Sequence, residues 1–213
     1  MKNTGTEIRS HVNNNIFITV IPGHFVTSHS HINYYVDITR MKHQLALARE
    51  AAKTLSEEFR YSTVADTIVC MDGSELIGGF LAAELANPDM LSLNRNKNIN
   101  IVTPEFNSNG QMMFRDNIQP MVEGKNILLL IASVTTGKTI HRCLECIQYY
   151  GGITSGIAAV FSAIPEAEGI PIHALFTRED VPNYSSYSYR DCPKCKEHQK
   201  IDALANSYGY SEI

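Results

Sequence analysis

The residues best equipped for chemistry are Ser133-Val134-Thr135-Thr136-Gly137-Lys138-Thr139, which follow the apolar run 127–132 without a break. A buried strand that ends in small hydroxyl residues and a glycine, with a helix starting at once, leaves backbone N–H groups without intrahelical partners. The helix dipole makes that corner attractive to an anion. Ser133, Thr135, Thr136 and Thr139 add hydroxyl donors, Lys138 adds a charge, and Gly137 lets the backbone approach a ligand closely. The expected ligand group is a phosphate, since a strand-to-helix turn capped by threonines needs fewer of these residues. One alternative is the nucleoside-triphosphate loop G-x-x-x-x-G-K-[ST], which residues 132–139 nearly spell with Ala132 in place of the first glycine. Lys138 would then reach the outer phosphates and Thr139 would hold Mg²⁺. Only 74 residues follow Thr139, and no later apolar strand ends in a clear Mg²⁺-binding Asp, which argues against it.

Two further groups carry metal-binding chemistry. Cys192-Pro193-Lys194-Cys195 is a C-x-x-C knuckle, and Cys143-Leu144-Glu145-Cys146 repeats the spacing on a predicted helix. Four thiolates could form a structural Zn²⁺ site, with His198 as a further ligand. Against this, buried cysteines three apart on a helix are commonly small core residues, and a surface-loop thiol pair is the plainer account of Cys192 and Cys195. His24, His29 and His31 cluster in sequence, but no convergent acid or thiol is evident, so a solvated turn is expected there.

The elements that must position these groups read as alternating strands and helices. Residues 16–21 form a β-rich run ended by Pro22-Gly23, and residues 33–38 a second, alternating run. Met41, Leu45, Ala48, Ala52, Leu55 and Phe59 make the apolar stripe of one core helix over residues 41–60, which carries no evident chemistry. Residues 67–71 predict a strand, a turn follows at Asp72-Gly73-Ser74, and residues 75–86 predict a helix. Residues 99–103 predict another strand, and Asn109-Gly110 a hairpin between 105–106 and 112–114. Residues 126–131 are a central strand buried on both faces. A helix then runs to Tyr150 and is capped at Gly151-Gly152. Strands follow at 153–164 and 171–176. This order predicts an α/β fold with a central, mostly parallel sheet flanked by helices, a hairpin hood and an extended C-terminal tail. Residues 1–213 form one domain, with a hood segment at about 1–40 and a tail at about 183–213. The tail, rich in Tyr and Ser, is expected to wrap the surface, and Tyr184, Tyr187 and Tyr189 pack it.

Hydrophobic residues are 44% and charged residues 19% of the chain, an ordinary globular balance. The net charge of −4 speaks against a broad nucleic-acid footprint. The longest apolar stretch is too short to span a bilayer, and five cysteines with a polar N-terminus read as reduced thiols in a cytoplasmic protein.

Val134-Thr135-Thr136-Gly137 after an apolar strand resembles the 5′-phosphate loop of the type I phosphoribosyltransferases, the orotate phosphoribosyltransferases in particular. Residues 23–25 and 34–37 resemble the family's base-site region. Residues 72–82, with Gly73, Gly78 and Gly79, resemble its pyrophosphate loop. Residues 105–114 fall where it has a mobile catalytic hairpin, and residues 169–175 resemble its late strand. The resemblance implies a ligand such as phosphoribosyl pyrophosphate (PRPP) or a nucleoside monophosphate, Mg²⁺ as cofactor, and a homodimer. It also implies a second site at Asp72, Gly73, Ser74 and Glu75 for pyrophosphate or Mg²⁺.

The departures from the family fall on its charged groups. Ile131 and Ala132 replace the adjacent acidic pair that supports an oxocarbenium-like transition state, and loss of such an electrostatic group slows a reaction on the order of a hundredfold or more. The hairpin has no basic residue, Arg115 alone follows it, and Thr27 stands about where orotate enzymes often have a lysine. Two expectations follow: a phosphoribosyl-binding protein whose transferase activity is weak, altered or absent, or a working pyrimidine transferase in which Asp72, Glu75 and Mg²⁺ carry the lost charge.

Overall fold

The apolar run 126–131 lies in strand β8 (Asn126–Val134), buried along nearly all of its length in the computed structural model, which describes residues 5–108 and 110–213. It pairs in parallel with β4 (Thr67–Cys70) on one side and β9 (Ile153–Ser162) on the other. β5 (Asn100–Val102) lies beyond β4, β11 (Ile170–Thr177) beyond β9, and the short antiparallel β10 (Glu166–Ala167) at the far edge. By order along the chain, the five parallel strands therefore lie second, first, third, fourth, fifth. The winding reverses between β4 and β8, and ligands of such sheets bind outside the carboxyl ends of the strands at that switch point.

Alternation along β8 sends its side chains into two cores. Leu128, Leu130 and Ala132 join an apolar cluster with α2 (Leu45–Phe59) and α3 (Glu75–Leu85), while Ile127, Leu129 and Ile131 join another with α4 (Lys138–Tyr149). Gly78 lets α3 lie close on β4, because a Cβ there would collide with Cys70 Sγ. The end of α4 is as expected. Gly151 takes φ 76°, and the Gly151 and Gly152 N–H groups bond the carbonyls of Gln148 and Ile147.

Three expectations about the elements are corrected. The single helix over 41–60 is two, α1 (Thr39–His43) and α2, parted by an extended Gln44. Gln44 is a good helix former, so its sequence gives no signal; the break resets the helical phase and leaves Leu45 of the predicted stripe exposed. Pro22-Gly23 does not end a strand. β2 (Phe17–Val26) runs through it, with a bulge between Pro22 and Phe25 in its pairing with β3 (His31–Asp37). The tail does not simply wrap the surface. β12 (Ser186–Tyr187) pairs with β3, and β13 (Ala203–Asn206) pairs in parallel with β2 and antiparallel with β14 (Gly209–Glu212). With β1 (Thr6–Arg9) on β2, these strands form a second sheet that joins both ends of the chain.

The hairpin is present as β6 (Glu105–Phe106) and β7 (Met112–Met113). Asn109 of its predicted turn lies outside the described residues; Gly110 has φ 74°. Among the described residues, no helix is long and apolar enough to cross a membrane.

Candidate functional site

A cavity of about 190 Å³ opens at the switch point. Ser133, Thr135, Thr136, Gly137, Lys138 and Thr139 all line it, so the structure brings the whole predicted phosphate loop to one wall. β8 ends at Val134 and α4 begins at Lys138, and the N–H groups of that first turn have no earlier carbonyl in the helix to bond. Gly137 is the N-cap with φ 77°, a left-handed conformation, and a Cβ there would lie 2.9 Å from Ile164 Cδ1. The left-handed φ selects glycine, whereas the Ile164 methyl sits at the end of a flexible side chain and could shift. The His29 imidazole on the rim is held below its ordinary pKa by burial, then by the charges of Arg142 and Lys138. This corner is locally electropositive in a chain of net charge −4.

Across the cavity stands Asp72, in a tight turn closed by the Ser74 N–H bonding the Met71 carbonyl at 3.2 Å. Asp72 and Gly73 fill the central positions with φ 61° and 76°. Aspartate is among the few residues besides glycine that take this left-handed conformation, since its short side chain can bond locally. Burial pushes the Asp72 carboxyl up; a hydrogen bond from Ser207 and the charge of Lys42 pull the other way. The rest of the predicted pyrophosphate loop does not face the cavity. Ser74 is buried and its hydroxyl donates to the Leu130 carbonyl at 3.3 Å, while Glu75 accepts from Thr103 Oγ1 at 3.0 Å.

Lys42 of α1 braces the turn beside the cavity without lining it. Lys42 is 4% exposed, and its Nζ donates to the carbonyl oxygens of Asp72 at 2.9 Å and Ser207 at 2.6 Å. A lysine off the apolar stripe reads as solvated, so no sequence signal marks it. Further walls come from Thr27, Ser28 and His29 after β2, buried Tyr184, Asn206 at the end of β13 and Ser207 beyond it. Thr27 Oγ1 donates to the Ser30 carbonyl at 2.9 Å.

Ile131 lines the cavity with a fully buried aliphatic side chain, whereas Ala132 faces the opposite core. Glu105 of the hairpin binds Arg115 at 2.8 Å, and no described hairpin residue lines the cavity. Ile131, Ala132 and the described hairpin residues therefore bring no charge to the cavity.

One cysteine pair falls as expected on the helix and the other does not. Cys143 and Cys146 are buried in the α4 core, where burial pushes both thiols up, Cys146 to about 11. Cys192 and Cys195 are no surface pair. Cys192 is 1% exposed, and both thiols converge with His24 and His31, whose ring nitrogens the notion of a solvated turn left in water. Exposed His198 and the α4 thiols are not part of that group. The bulge in β2 is what sequence reading missed: Gly23, His24 and Phe25 are buried in succession, breaking the alternation that a regular strand would impose.

No family model matches the chain. Over 195 residues it is 28% identical to the orotate phosphoribosyltransferase of Wolinella succinogenes, a match covering 85% of this chain and 88% of that protein. Its fold is similar to that of the UMP synthase of Leishmania donovani, with TM-score 0.56 and 17% identity over 76% of this chain and 34% of the other. It is also similar to the adenine phosphoribosyltransferase of Thermoanaerobacter pseudethanolicus, with TM-score 0.52 and 15% identity over 82% and 95% of the two chains. The chain thus spans about a third of the length of that UMP synthase.

Proposed function

We propose, from a fold that is that of the type I phosphoribosyltransferases and a sequence that resembles the orotate enzymes among them, that this chain binds PRPP or a nucleoside monophosphate and has weak, altered or absent transferase activity. The observation that carries this is the loop from Ser133 to Thr139 lining the cavity around a left-handed Gly137. The 5′-phosphate would accept hydrogen bonds from the first-turn N–H groups and the threonine hydroxyls. Lys138 and Arg142 would balance its charge. An aliphatic Ile131 beside the ribose offers no negative charge to a developing oxocarbenium ion, and no described hairpin base stands ready to hold or protonate pyrophosphate.

Asp72 supports a second reading, an active transferase of pyrimidine nucleotide synthesis or salvage. One carboxylate at the cavity edge, completed by ligand phosphate oxygens and water, is a donor set that suits Mg²⁺. Glu75 is turned to Thr103 and is a weaker candidate than the sequence implied. A nucleoside-triphosphate loop has no support from the fold. The homodimer and the cytoplasmic setting are carried by family resemblance and composition alone.

Titration calorimetry with PRPP, UMP and OMP, with and without Mg²⁺, tests binding. Saturable binding that is lost in Thr136→Val and Gly137→Val is expected. A steady-state assay with PRPP, Mg²⁺ and orotate should give turnover at least about a hundredfold below the roughly 10 s⁻¹ of a median enzyme. Ordinary turnover would establish the second reading, and failure of all three ligands to bind would sink both.

A further inference from the structure

We propose that His24, His31, Cys192 and Cys195 form a structural zinc site that clasps the C-terminal tail to the β2–β3 hairpin. Their ligand atoms all lie within 4.8 Å of one another, although the histidines and cysteines are separated by more than 160 residues of chain. His24 Nε2 stands 3.0 Å from His31 Nδ1 and 3.5 Å from each sulfur, and Cys195 Sγ stands 3.2 Å from His31 Nδ1. A tetrahedron with Zn–N near 2.0–2.1 Å and Zn–S near 2.3 Å has edges of roughly 3.3 Å between nitrogens and 3.6 Å between nitrogen and sulfur. The four separations given above stand within about 0.4 Å of those edges, and no pair is wider than 4.8 Å.

Hydrogen bonding among these groups does not account for their convergence. His24 Nδ1 faces the carbonyl oxygens of Gln199 and Lys200 at 3.3 and 3.2 Å, and carbonyls only accept, so Nδ1 carries a proton. In the neutral ring Nε2 then has one lone pair, yet three polar neighbours crowd it. A cation satisfies the whole group at once. The Nδ1–H to carbonyl bond is also the outer contact that fixes the tautomer of a metal-bound histidine. Charge agrees: two thiolates and two neutral imidazoles around Zn²⁺ sum to zero, which suits a site where His24, His31 and Cys192 are buried.

Local structure explains how each ligand arrives. Cys192 is the N-cap of α5 (Pro193–Lys196) and Cys195 lies a turn later, so the two thiols share one side. The β2 bulge turns His24 inward, and the Asp202 carboxylate accepts the His24 backbone N–H at 2.7 Å. The Asp202 N–H in turn donates to the His24 carbonyl at 2.9 Å. β13 begins just beyond, and its last residue Asn206 and the following Ser207 stand in the cavity wall. The clasp thereby holds one wall of the ligand site without touching the ligand.

Metal analysis of the purified full chain should find about one zinc per chain. Cys192→Ser and Cys195→Ser should reduce this to below roughly a tenth, while Cys143→Ala leaves it unchanged. Should the cysteine variants fail to fold, the unaltered protein still decides the matter. Exchange of its metal for Co²⁺ should give the intense visible bands of a tetrahedral ion and thiolate-to-cobalt charge transfer. Chelation should accelerate amide exchange over residues 199–207. Protein that takes up no zinc or cobalt, that shows a weak octahedral spectrum, or that contains a Cys192–Cys195 disulfide and no metal would overturn the proposal. None of these readouts requires PRPP or a nucleotide to bind.

Discussion

The Lys42 ammonium reaches the Ser207 carbonyl at 2.6 Å, tying α1 to the turn between β13 and β14, and the same nitrogen bonds the Asp72 carbonyl. One buried cation therefore joins the N-terminal region, the β4 turn and the tail at the rim of the cavity. Burial pulls its pKa down, and the charges of Asp72, Glu75 and Asp37 oppose that. Lys42→Met keeps most of the stem and removes the donor, leaving two carbonyls without it. The expected loss is roughly 1–3 kcal/mol in urea unfolding, with unchanged slope, together with weaker UMP binding. Wild-type stability in this variant would mean that water replaces the ammonium and that the tie is dispensable.

Gly137 and Gly79 make opposite predictions for the same substitution. Gly137 has φ 77°, and a Cβ there would also push the Ile164 methyl aside, so Gly137→Ala should destabilise by about 1–2 kcal/mol and weaken UMP binding at least about tenfold. Gly79 lies on the exposed side of α3 with nothing within 4 Å of a Cβ. Gly79→Ala should raise stability by up to about 1 kcal/mol and leave UMP affinity alone. Thermal unfolding and calorimetry on the pair separate the backbone demand of the loop from a general dislike of added bulk.

The parts of this molecule legible in the sequence are those specified by local pattern. The apolar run of β8, the threonines and glycine after it, and the Gly151-Gly152 cap each carry their signal within a few residues, and each stands where expected. What was illegible depends on chain segments far apart. Nothing local to Lys42 announces a carbonyl 165 residues away. His24 and His31 looked solvated because their thiol partners lie on the tail, and because a bulge changes the face that His24 presents. The break at Gln44 is also unannounced: an exposed residue of good helix propensity takes an extended conformation there.

Asp72→Asn separates stability from ligand chemistry. The raised pKa of Asp72, set first by burial, means that ionisation works against the folded state above the ordinary carboxylate range. Asn keeps a hydrogen-bonding group for Ser207 and tolerates the left-handed φ of 61°. The variant should be more stable than wild type near pH 7 in the absence of ligand, and the difference should vanish on acidification as wild-type Asp72 takes up its proton. Any increase of PRPP affinity by Mg²⁺ should be lost. Lower stability at pH 7 would show instead that the Asp72 charge is needed to hold Lys42.

Asp66 tests how the switch point itself is held. Its carboxylate accepts from Lys97 Nζ at 2.8 Å, and from the backbone N–H and side-chain amide of Asn126 at 3.0 and 2.7 Å. It thus ties the start of β8 to the residue that leads into β4, the two strands whose ends form the cavity. The Lys97 bond first, and then the Asn126 donors against some desolvation, lower its pKa from 3.8 to about 2. A carboxyl depressed in the folded state stabilises above its ordinary pKa, and that contribution disappears as pH falls through the folded value. Solvent screens this partly exposed pair, so the contribution is about 1 kcal/mol rather than the full shift. Asp66→Asn should therefore be less stable than wild type by about that amount at pH 7, with the gap closing between about pH 4 and pH 2. Urea unfolding across that range checks it, and a gap that persists undiminished at the acid end would mean that the amide's geometry, not the lost charge, is responsible.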